Sequence, residues 1–403
     1  MQRLLQSLQL PILLVAAIAA LIYLKPGSEP TKKPQETPFK KSNAVSTKGK
    51  PYPGLTLVPL TGTASVVLLA LDGSVVHEWP VDATRARLLP NGNLLVIHGS
   101  KWGLKVEPWK SLRKTVREYD WDGNVVWEKK VPDIAHHDIQ RLENGNTIFP
   151  VRVMVPAKFK EQINDLSRRT MKIRSDAITE VNPAGEIVWE WNAHEHLDLN
   201  NCGRRPCTVH TGGDLAAQKM SDWTHINTVS VIPENKWYDQ GDKRFKPGNL
   251  LTLPRNFWTV FLIDKETKDV VWEYTGDYKR GLSGGHEVHM IPKGIPGEGN
   301  ILIFDNGRVY HKGKSYILEV NPTTNELVWV YDRDKEFFSN SAGSMQRFPN
   351  GNMLISEDVR NRVFEINPKG DIIWEFKTDY RLSRSQRYDY DYCPQFKDLK
   401  FAA

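Results

Sequence analysis

Short apolar runs alternate with tight turns over residues 51–380. The most regular unit is a strand phrase that ends in tryptophan, such as Gly123-Asn124-Val125-Val126-Trp127. It follows a β-branched strand and a turn such as Asn367-Pro368-Lys369-Gly370, in which Pro presets φ and Gly accepts a positive φ. These positions predict one hairpin in every unit. The phrase occurs six times, at Trp79, Trp127, Trp189, Trp272, Trp329 and Trp374.

A second turn precedes most of these hairpins and marks an earlier pair of strands. The turn is Asn-Gly-Asn or Gly-Asn, at residues 91–93, 144–146, 248–249, 299–300 and 350–352. Five units therefore have four strands each, the content of a propeller blade. The remaining unit, Pro53 to Trp79, shows only its second half, and we expect strands near Tyr388 to Phe401 to complete it. The sequence predicts an all-β fold, a six-bladed β-propeller over residues 51–403.

Two units are longer than four strands require. The charged insertion from Pro156 to Asp176 is interpreted as a helix. The region from Asn192 to Ser221 is interpreted as a long loop that forms a lid over one face.

The first 50 residues differ from the repeats. Leu10 to Leu24 is an apolar run, short for a membrane span and long enough for the core of a secretory signal. Residues 1–25 are therefore predicted to be a signal peptide or a membrane anchor, and residues 26–50 a basic disordered linker. We expect the protein in the periplasm, or held to the membrane by this N-terminal segment and facing away from the cytoplasm.

Charge and cysteine content narrow the possible functions. The net charge of +6 comes from residues 1–50, and the repeat region is neutral, which argues against nucleic-acid binding. Cys202 and Cys207 share a polar loop, where a local disulfide would suit an oxidising compartment; two free thiols are the alternative. Cys393 has no evident partner.

Three units carry a histidine at corresponding positions before the first turn. His137 and His286 stand six residues before Glu143 and Pro292, the residues that precede the first turn in their units, and His225 stands eight before the corresponding Pro233. The even difference keeps His225 on the same strand face. Thr84 and Gly343 take this position in two other units, so the repeat does not require histidine there. Because first strands line the channel of a propeller, we predict that the three histidines meet on its axis.

Arg255 is a fourth candidate for the same site. An arginine inside an apolar strand pair is costly unless it is paired or binds an anion, and a salt bridge within the blade is the alternative. Aromatic residues close to it in sequence are predicted to form a wall for a flat substrate. The candidate substrate-binding residues are Trp223, Asn227, Asn256, Phe257, Trp258 and His289.

Two further clusters are interpreted as structural. His194, Glu195, His196 and Asp198 lie in a polar loop with a spacing that no common metal site requires, so no metal is predicted. Asp305-Asn306-Gly307 is interpreted as a turn at a strand end rather than as a catalytic acid.

Several of these segments together resemble one family. They are His137-Asp138-Ile139, Asp222-Trp223-Thr224-His225-Ile226-Asn227, Pro254-Arg255-Asn256, His286-Glu287-Val288 and the strand from Gly299 to Gly307. On these residues the chain resembles the bacterial aryl-sulfate sulfotransferases that do not use phosphoadenosine phosphosulfate. The likeness covers residues 51–380, and its most specific part is the Asp-Trp-x-His-Ile-Asn segment.

The resemblance implies an exported propeller that moves a sulfuryl group from an aryl sulfate donor to a phenolic acceptor in two steps. It implies His286 as the transiently sulfated nucleophile, His137 and His225 as assisting histidines, and Arg255 as the anion-binding residue. It implies no cofactor. Sulfuryl transfer resembles phosphoryl transfer in placing charge on peripheral oxygens, and imidazole is a nucleophile that works near neutral pH.

Two other functions remain open on the sequence. A non-catalytic propeller that binds a ligand or a protein would use the histidines only for hydrogen bonds. A related propeller enzyme would act on another substrate, although a quinone-dependent dehydrogenase would need clustered carboxylates for calcium, and none is evident. Geometry separates these functions, since catalysis requires His137, His225, His286 and Arg255 around one small pocket.

Overall fold

The computed structural model describes residues 44–99, 101–207 and 218–399. Within them the strands form six sheets, which are the six blades of a β-propeller. The predicted all-β architecture is therefore confirmed. We number the blades in chain order and give the strands of each from the innermost outwards.

The first three blades include the closing strand and the longest hairpin. Blade 1 contains Gln386–Tyr388, Leu55–Leu60, Ser65–Leu69 and Val75–Trp79. Blade 2 contains Arg85–Leu88, Leu94–Ile97, Thr115–Tyr119 and Val125–Lys130. Blade 3 contains Gln140–Arg141, Thr147–Met154, Lys172–Val181 and Ile187–Asn192, with Met220–Asp222 parallel to its third strand.

The last three blades follow the same plan. Blade 4 contains Ile226–Val231, Leu250–Pro254, Val260–Ile263 and Val270–Tyr274. Blade 5 contains Glu287–Met290, Ile301–Asp305, Tyr316–Val320 and Leu327–Tyr331. Blade 6 contains Ser344–Arg347, Met353–Glu357, Arg362–Ile366 and Ile372–Lys377, with Ala44–Thr47 added at its outer edge.

The repeated tryptophans lie on the outermost strands, and five of the six donate a hydrogen bond from the indole to the next blade. The indole nitrogen of Trp79 donates to the carbonyl oxygen of Asp120 in blade 2 over 3.0 Å. Trp127 donates in the same way to Pro183 of blade 3. Trp374 of blade 6 donates to a carbonyl of blade 1, which completes the ring. Buried apolar residues fill the spaces between neighbouring blades, so the core is divided among the blade interfaces.

Blade 1 is closed by both ends of the propeller chain, as predicted, but residues 55–79 form three strands rather than half of the blade, and the C-terminal segment adds one strand that ends at Tyr388. Gln386–Tyr388 pairs with Leu55–Leu57 in antiparallel register. Arg387 of this strand is buried and forms an ion pair with the equally buried Glu365 of blade 6, while its Nε donates to the hydroxyl of Thr56 over 3.0 Å. The closing strand is thereby tied to two neighbouring blades.

The propeller begins before residue 51, the boundary predicted from the sequence. Ala44–Thr47 forms a strand that pairs with the outer strand Ile372–Lys377. The prediction of a disordered linker is therefore wrong for these four residues, because the exposed edge of blade 6 offers them backbone partners. The predicted signal or anchor, residues 1–25, lies outside the described residues, and no helix in the described part is long and apolar enough to cross a membrane.

The insertions carry short helices rather than one long helix. Residues 156–176, predicted to be a helix, contain Ala157–Lys160 and Leu166–Arg169, and the strand of blade 3 begins at Lys172. The predicted lid lies partly outside the described residues, at 208–217. The other short helices are Ser111–Lys114, Ala193–His196, Lys236–Asp239, Lys243–Phe245, Tyr278–Arg280, Asp334–Glu336, Asp358–Arg360 and Pro394–Asp398.

Candidate active site

Every blade places one residue, just before its innermost strand, at the same end of the central channel. These residues line a cavity of about 540 Å³. Four of them, His137, His225, Ala342 and Arg384, have a left-handed backbone with φ between 50° and 65°, a conformation that non-glycine residues adopt at a cost and that is concentrated at functional sites. The six positions are Thr84, His137, His225, His286, Ala342 and Arg384.

The structure brings the three predicted histidines and Arg255 into this one cavity. The ring centroids of His137 and His225 lie 5.0 Å apart, and those of His137 and His286 lie 6.1 Å apart. The predicted meeting on the propeller axis therefore agrees with the geometry. The left-handed turns at His137 and His225 aim these rings into the cavity before each chain enters its strand.

The hydrogen bonds around His286 determine which of its ring nitrogens carries the hydrogen. Nδ1 of His286 lies 2.6 Å from Oδ1 of Asn306, and Nδ2 of Asn306 donates to the carbonyl oxygens of Ser339 and Ala342. The amide is therefore fixed with its oxygen toward His286, so Nδ1 carries the hydrogen and Nε2 carries a lone pair. Burial, and then the charge of Arg384, hold the pKa of His286 well below its ordinary value. The ring is neutral at neutral pH.

His225 is paired with a carboxylate. Nδ1 of His225 lies 2.5 Å from Oδ2 of Asp222, and Nη2 of Arg255 lies 3.4 Å from the same oxygen. Burial would raise the pKa of Asp222, but His225 and then Arg255 outweigh it and hold that pKa far below its ordinary value. Burial and Arg255 lower the pKa of His225, and Asp222 opposes them. Burial lowers the pKa of Arg255 to about 10, so its guanidinium remains charged at neutral pH.

A second carboxylate reaches the cavity through an extra histidine. Oδ1 of Asp176 accepts a hydrogen bond from Nε2 of His136 at 2.9 Å, and Nδ1 of His136 lies 2.7 Å from Nδ1 of His137. The two rings share one hydrogen between these nitrogens. Burial and the neighbouring charge of His136 hold the pKa of His137 well below its ordinary value. Neither Asp176 nor His136 was predicted as a site residue.

The cavity wall is rich in cations. Among the described residues that line it are seven arginines and one lysine, and none is Asp or Glu. Burial and then Arg255, Arg308 and Arg381 lower the pKa of Lys101, which shows that these charges lie close together. The cationic side chains are Lys101, Arg113, Arg152, Arg174, Arg255, Arg308, Arg381 and Arg384.

The predicted aromatic wall is not where the sequence placed it. Trp223 and Phe257 are buried, pack against each other at 5.6 Å and do not line the cavity. Trp258 is also buried and packs against Tyr310. The cavity instead has Trp102 on its wall, an indole that is 51% exposed. The three predicted rings lie instead in the apolar core. Trp223 and Phe257 lie between blades 3 and 4, and Trp258 lies between blades 4 and 5.

The remaining predicted binding residues hold other groups in place or lie outside this cavity. Nδ2 of Asn227 donates to the carbonyl oxygen of Gly285 over 2.7 Å, which fixes the segment before His286. Asn256 accepts from the guanidinium of Arg255 and so orients it. His289 lies at the other end of the channel, in a second cavity of about 560 Å³, because it follows His286 by three residues along a strand that runs through the channel.

The cysteine prediction is confirmed. Cys202 and Cys207 form a disulfide, and Cys393 is a buried free thiol. The polar loop nearby contributes His194, which packs on Phe159, and His196, which stacks on Trp191. In the part of the chain that the structure describes, no group of three or more His, Cys, Asp or Glu side chains is arranged to hold a metal ion.

Fold and cavity define a six-bladed propeller with a cluster of imidazoles and guanidiniums on its axis. The chain belongs to the arylsulfotransferase (ASST) family, whose model matches residues 113–379. Membership indicates arylsulfotransferase activity in general, with small aryl sulfates and phenols as substrates. No curated protein matches the chain.

Two solved structures are similar to this chain at low sequence identity. One is a protein of unknown function from Bacteroides caccae, with a TM-score of 0.50 and 13% identity over 83% of this chain and 99% of that one. Another is a virginiamycin B lyase from Staphylococcus aureus, with a TM-score of 0.42 and 10% identity over 84% and 89% of the two chains.

Proposed function

We propose that the chain transfers a sulfuryl group from an aryl sulfate to a phenolic acceptor through an intermediate in which His286 is sulfated. The observation that carries this proposal is the hydrogen bond from His286 to the fixed amide of Asn306. This bond leaves a lone pair on Nε2 of His286, which can act as the nucleophile. The charged side chains that line the cavity are cationic, so they attract the sulfate group of a donor.

In the first step Nε2 of His286 attacks the sulfur atom of the donor. The nitrogen–sulfur bond forms, the bond from sulfur to the aryl oxygen breaks, and the leaving phenolate takes a proton. His225 supplies that proton from Nε2, because Asp222 at 2.5 Å stabilises its imidazolium once the anionic donor is bound. Arg255 balances the charge on the sulfuryl oxygens.

In the second step the proton and the sulfuryl group move to the acceptor. Neutral His225 removes the proton from the phenol, the phenolate oxygen attacks sulfur, and the bond from sulfur to Nε2 of His286 breaks. His137, which Asp176 orients through His136, contacts a sulfuryl oxygen in the cavity. His286 returns to its neutral form.

The test is an exchange assay on the purified protein. Release of nitrophenolate from 4-nitrophenyl sulfate should be stimulated by phenol, and rapid quenching with donor alone should leave an added SO₃ on the peptide that contains His286. Both signals should vanish in His286→Ala and persist in His289→Ala, which alters a histidine of the same strand at the other end of the channel. Release that does not depend on phenol, or a His286→Ala variant as active as the parent, would overturn the proposal.

The same site is proposed to work outside the cytoplasm. The disulfide between Cys202 and Cys207 supports this location, since oxidising compartments preserve such bonds. Fractionation of cells that express the full chain, followed by thiol alkylation before and after reduction, tests it. Recovery from the cytosol with both cysteines reduced would contradict it.

A further inference from the structure

The middle hairpin of blade 3 is longer than that of any other blade. Its strands, Thr147–Met154 and Lys172–Val181, have 8 and 10 residues. The corresponding strands of the other blades have four to six. The strand Met220–Asp222, which also supplies the carboxylate partner of His225, pairs in parallel with the added part at Lys172–Arg174. The extension is therefore part of the wall of the site.

Two arginines lie diagonally on one face of this extension. Arg152 is opposite Asp176 and Met154 is opposite Arg174, so the two arginines share a sheet face with Asp176. Both arginines line the cavity that holds the histidines. Asp176 is already engaged, because its oxygens accept hydrogen bonds from His136, Thr224 and the backbone of Ile226.

Arg152 and Arg174 form no ion pair with any described carboxylate. Burial and then Arg152 lower the pKa of Arg174, which shows that the two like charges act on each other. The cations around the second cavity are different, since each of them has a carboxylate partner. Those pairs are Arg87 with Asp138, Lys293 with Asp239, Arg347 with Glu319 and Arg387 with Glu365.

Transfer of one sulfuryl group does not require this pair. Arg255 and the imidazoles already line the cavity. Arg152 and Arg174 repel each other, and the carboxylates that offset their charge, among them Asp222 and Asp176, lie outside ion-pair distance, so an anion that binds both guanidiniums is favoured. Guanidinium groups are suited to bidentate contacts with carboxylate and sulfate oxygens.

We propose that Arg152 and Arg174 form a second oxyanion subsite, so that the aromatic donor or acceptor of this enzyme carries a further carboxylate or sulfate group. The transfer reaction in this statement rests on the proposed function; the subsite itself does not. The ligand class is therefore a dianionic aromatic compound, with one anionic group among the histidines and the other on the extension of blade 3.

Binding measurements test the subsite without requiring turnover. In calorimetry the protein should bind benzene-1,3-disulfonate about 10-fold or more tightly than benzenesulfonate, the gain expected for one added charged hydrogen-bonding contact. Arg152→Gln and Arg174→Gln should each reduce this preference. Arg244→Gln, which removes a half-exposed arginine paired with Asp242, should leave it unchanged. Equal affinities in the unaltered protein, or a full preference in both cavity variants, would overturn the subsite.

Kinetics with two matched acceptors tests the role of the subsite in the reaction. 4-Hydroxybenzoate carries a carboxylate where 4-hydroxybenzamide carries a neutral group of similar shape. The unaltered enzyme should have a kcat/KM about 10-fold higher for the carboxylate, mainly through KM, and the Arg174→Gln variant should lose this difference while keeping the rate with the amide. No transfer to either acceptor, together with a retained preference for the disulfonate, would reject the proposed function and support the subsite. Equal kcat/KM values would reject its role toward acceptors of this class.

Discussion

Nδ1 of His286 donates to Oδ1 of Asn306 over 2.6 Å, and this one contact sets the form of the proposed nucleophile. Asn306 follows the second strand of blade 5, and its amide nitrogen is held by the carbonyl oxygens of Ser339 and Ala342 in the connection to blade 6. Turning the amide would break both of these bonds. Backbone groups of a neighbouring segment therefore determine that the hydrogen of His286 is on Nδ1.

Replacing Asn306 by aspartate should slow sulfation of His286 at neutral pH. A carboxylate beside the ring raises its pKa, so more of the ring is protonated and lacks the Nε2 lone pair. We expect a loss of about 10- to 100-fold in the burst of nitrophenolate at pH 7. The pH of half-maximal burst rate should move upward. Asn321→Asp, in a partly buried turn of the same blade, is the control. An unchanged pH profile in Asn306→Asp would contradict the assignment.

Replacing Asp222 by asparagine should affect the acceptor step most. His225 then loses the carboxylate that stabilises its imidazolium, and deprotonation of the phenol becomes slower by about 100-fold. The measurement is the decay of sulfated enzyme after rapid mixing with phenol. Asp242→Asn removes a carboxylate that pairs with Arg244 in the connection between the first two strands of blade 4, and the sulfated enzyme of this variant should decay at the normal rate. Equal rates in the two variants would rule out this role of Asp222.

Replacing Arg255 by glutamine should lower kcat by about 100- to 1000-fold, the usual cost of losing one charged donor at a developing oxyanion. Arg255 remains charged at neutral pH, because burial lowers its pKa only to about 10. Arg255→Lys should recover part of the rate, since it keeps the charge but lacks the planar pair of donors. Steady-state assays over a range of donor concentrations separate kcat from KM. A lysine variant no better than the glutamine variant would show that charge alone is not the contribution.

The repeat architecture could be predicted from the sequence because its signals are local. The turns and the tryptophan phrases mark each hairpin, and equivalent positions in the units bring the histidines to one axis. The tryptophan phrase also has a role in the structure that spacing alone does not show, since Trp79 and Trp127 bond to the next blade.

The carboxylates and the amide of the site depend on contacts between distant segments. Asp176 meets His136 across 40 positions of sequence and Thr224 across 48. Trp223 was predicted to form an aromatic wall with Phe257 and Trp258 because these residues lie near the site residues in sequence. His225 has a left-handed backbone with a φ of 56°, and the indole of Trp223 lies in the core, which nearness in sequence does not show.

His98 should make the free energy of unfolding fall in mild acid. It is fully buried, accepts a hydrogen bond from Tyr119, and donates to the carbonyl oxygen of Asp82; burial lowers its pKa to about 4. The unfolded chain binds a proton at His98 near pH 6.5, whereas the folded chain does not. The contribution of His98 is therefore complete above pH 6.5 and is lost as the pH falls from there toward 4, by about 2 kcal/mol at pH 5.

Urea unfolding at pH 7.5 and pH 5.0 checks this sign and size. His98→Gln cannot titrate, so its stability should change less between the two pH values than that of the parent protein, by about 2 kcal/mol. The comparison uses the change with pH, so any constant cost of the substitution cancels. The same pH dependence in both proteins would show that His98 is protonated equally in the folded and unfolded chains.

Arg387→Ala should destabilise the propeller more than any exposed ion pair does. Its guanidinium is buried between Glu365 of blade 6 and Thr56 of blade 1, at the closure of the ring. Removing it leaves a buried carboxylate without its counter-charge, at a cost of about 3–5 kcal/mol. Thermal unfolding should show a Tm lower by about 5–10 °C. Lys293→Ala, which breaks an exposed pair with Asp239, should change Tm by no more than about 1 °C.

The double variant Arg387→Met, Glu365→Leu separates loss of the charge pair from loss of packing. It removes both charges and fills the space with apolar side chains, so it should recover most of the Tm lost in Arg387→Ala. Recovery would mean that the unpaired carboxylate, rather than the missing arginine contacts to Thr56, causes the damage. A double variant as unstable as the single one would mean that hydrogen bonds hold the closing strand in place, either those of Arg387 to blade 1 or those that Glu365 accepts from Tyr52 and Asn352.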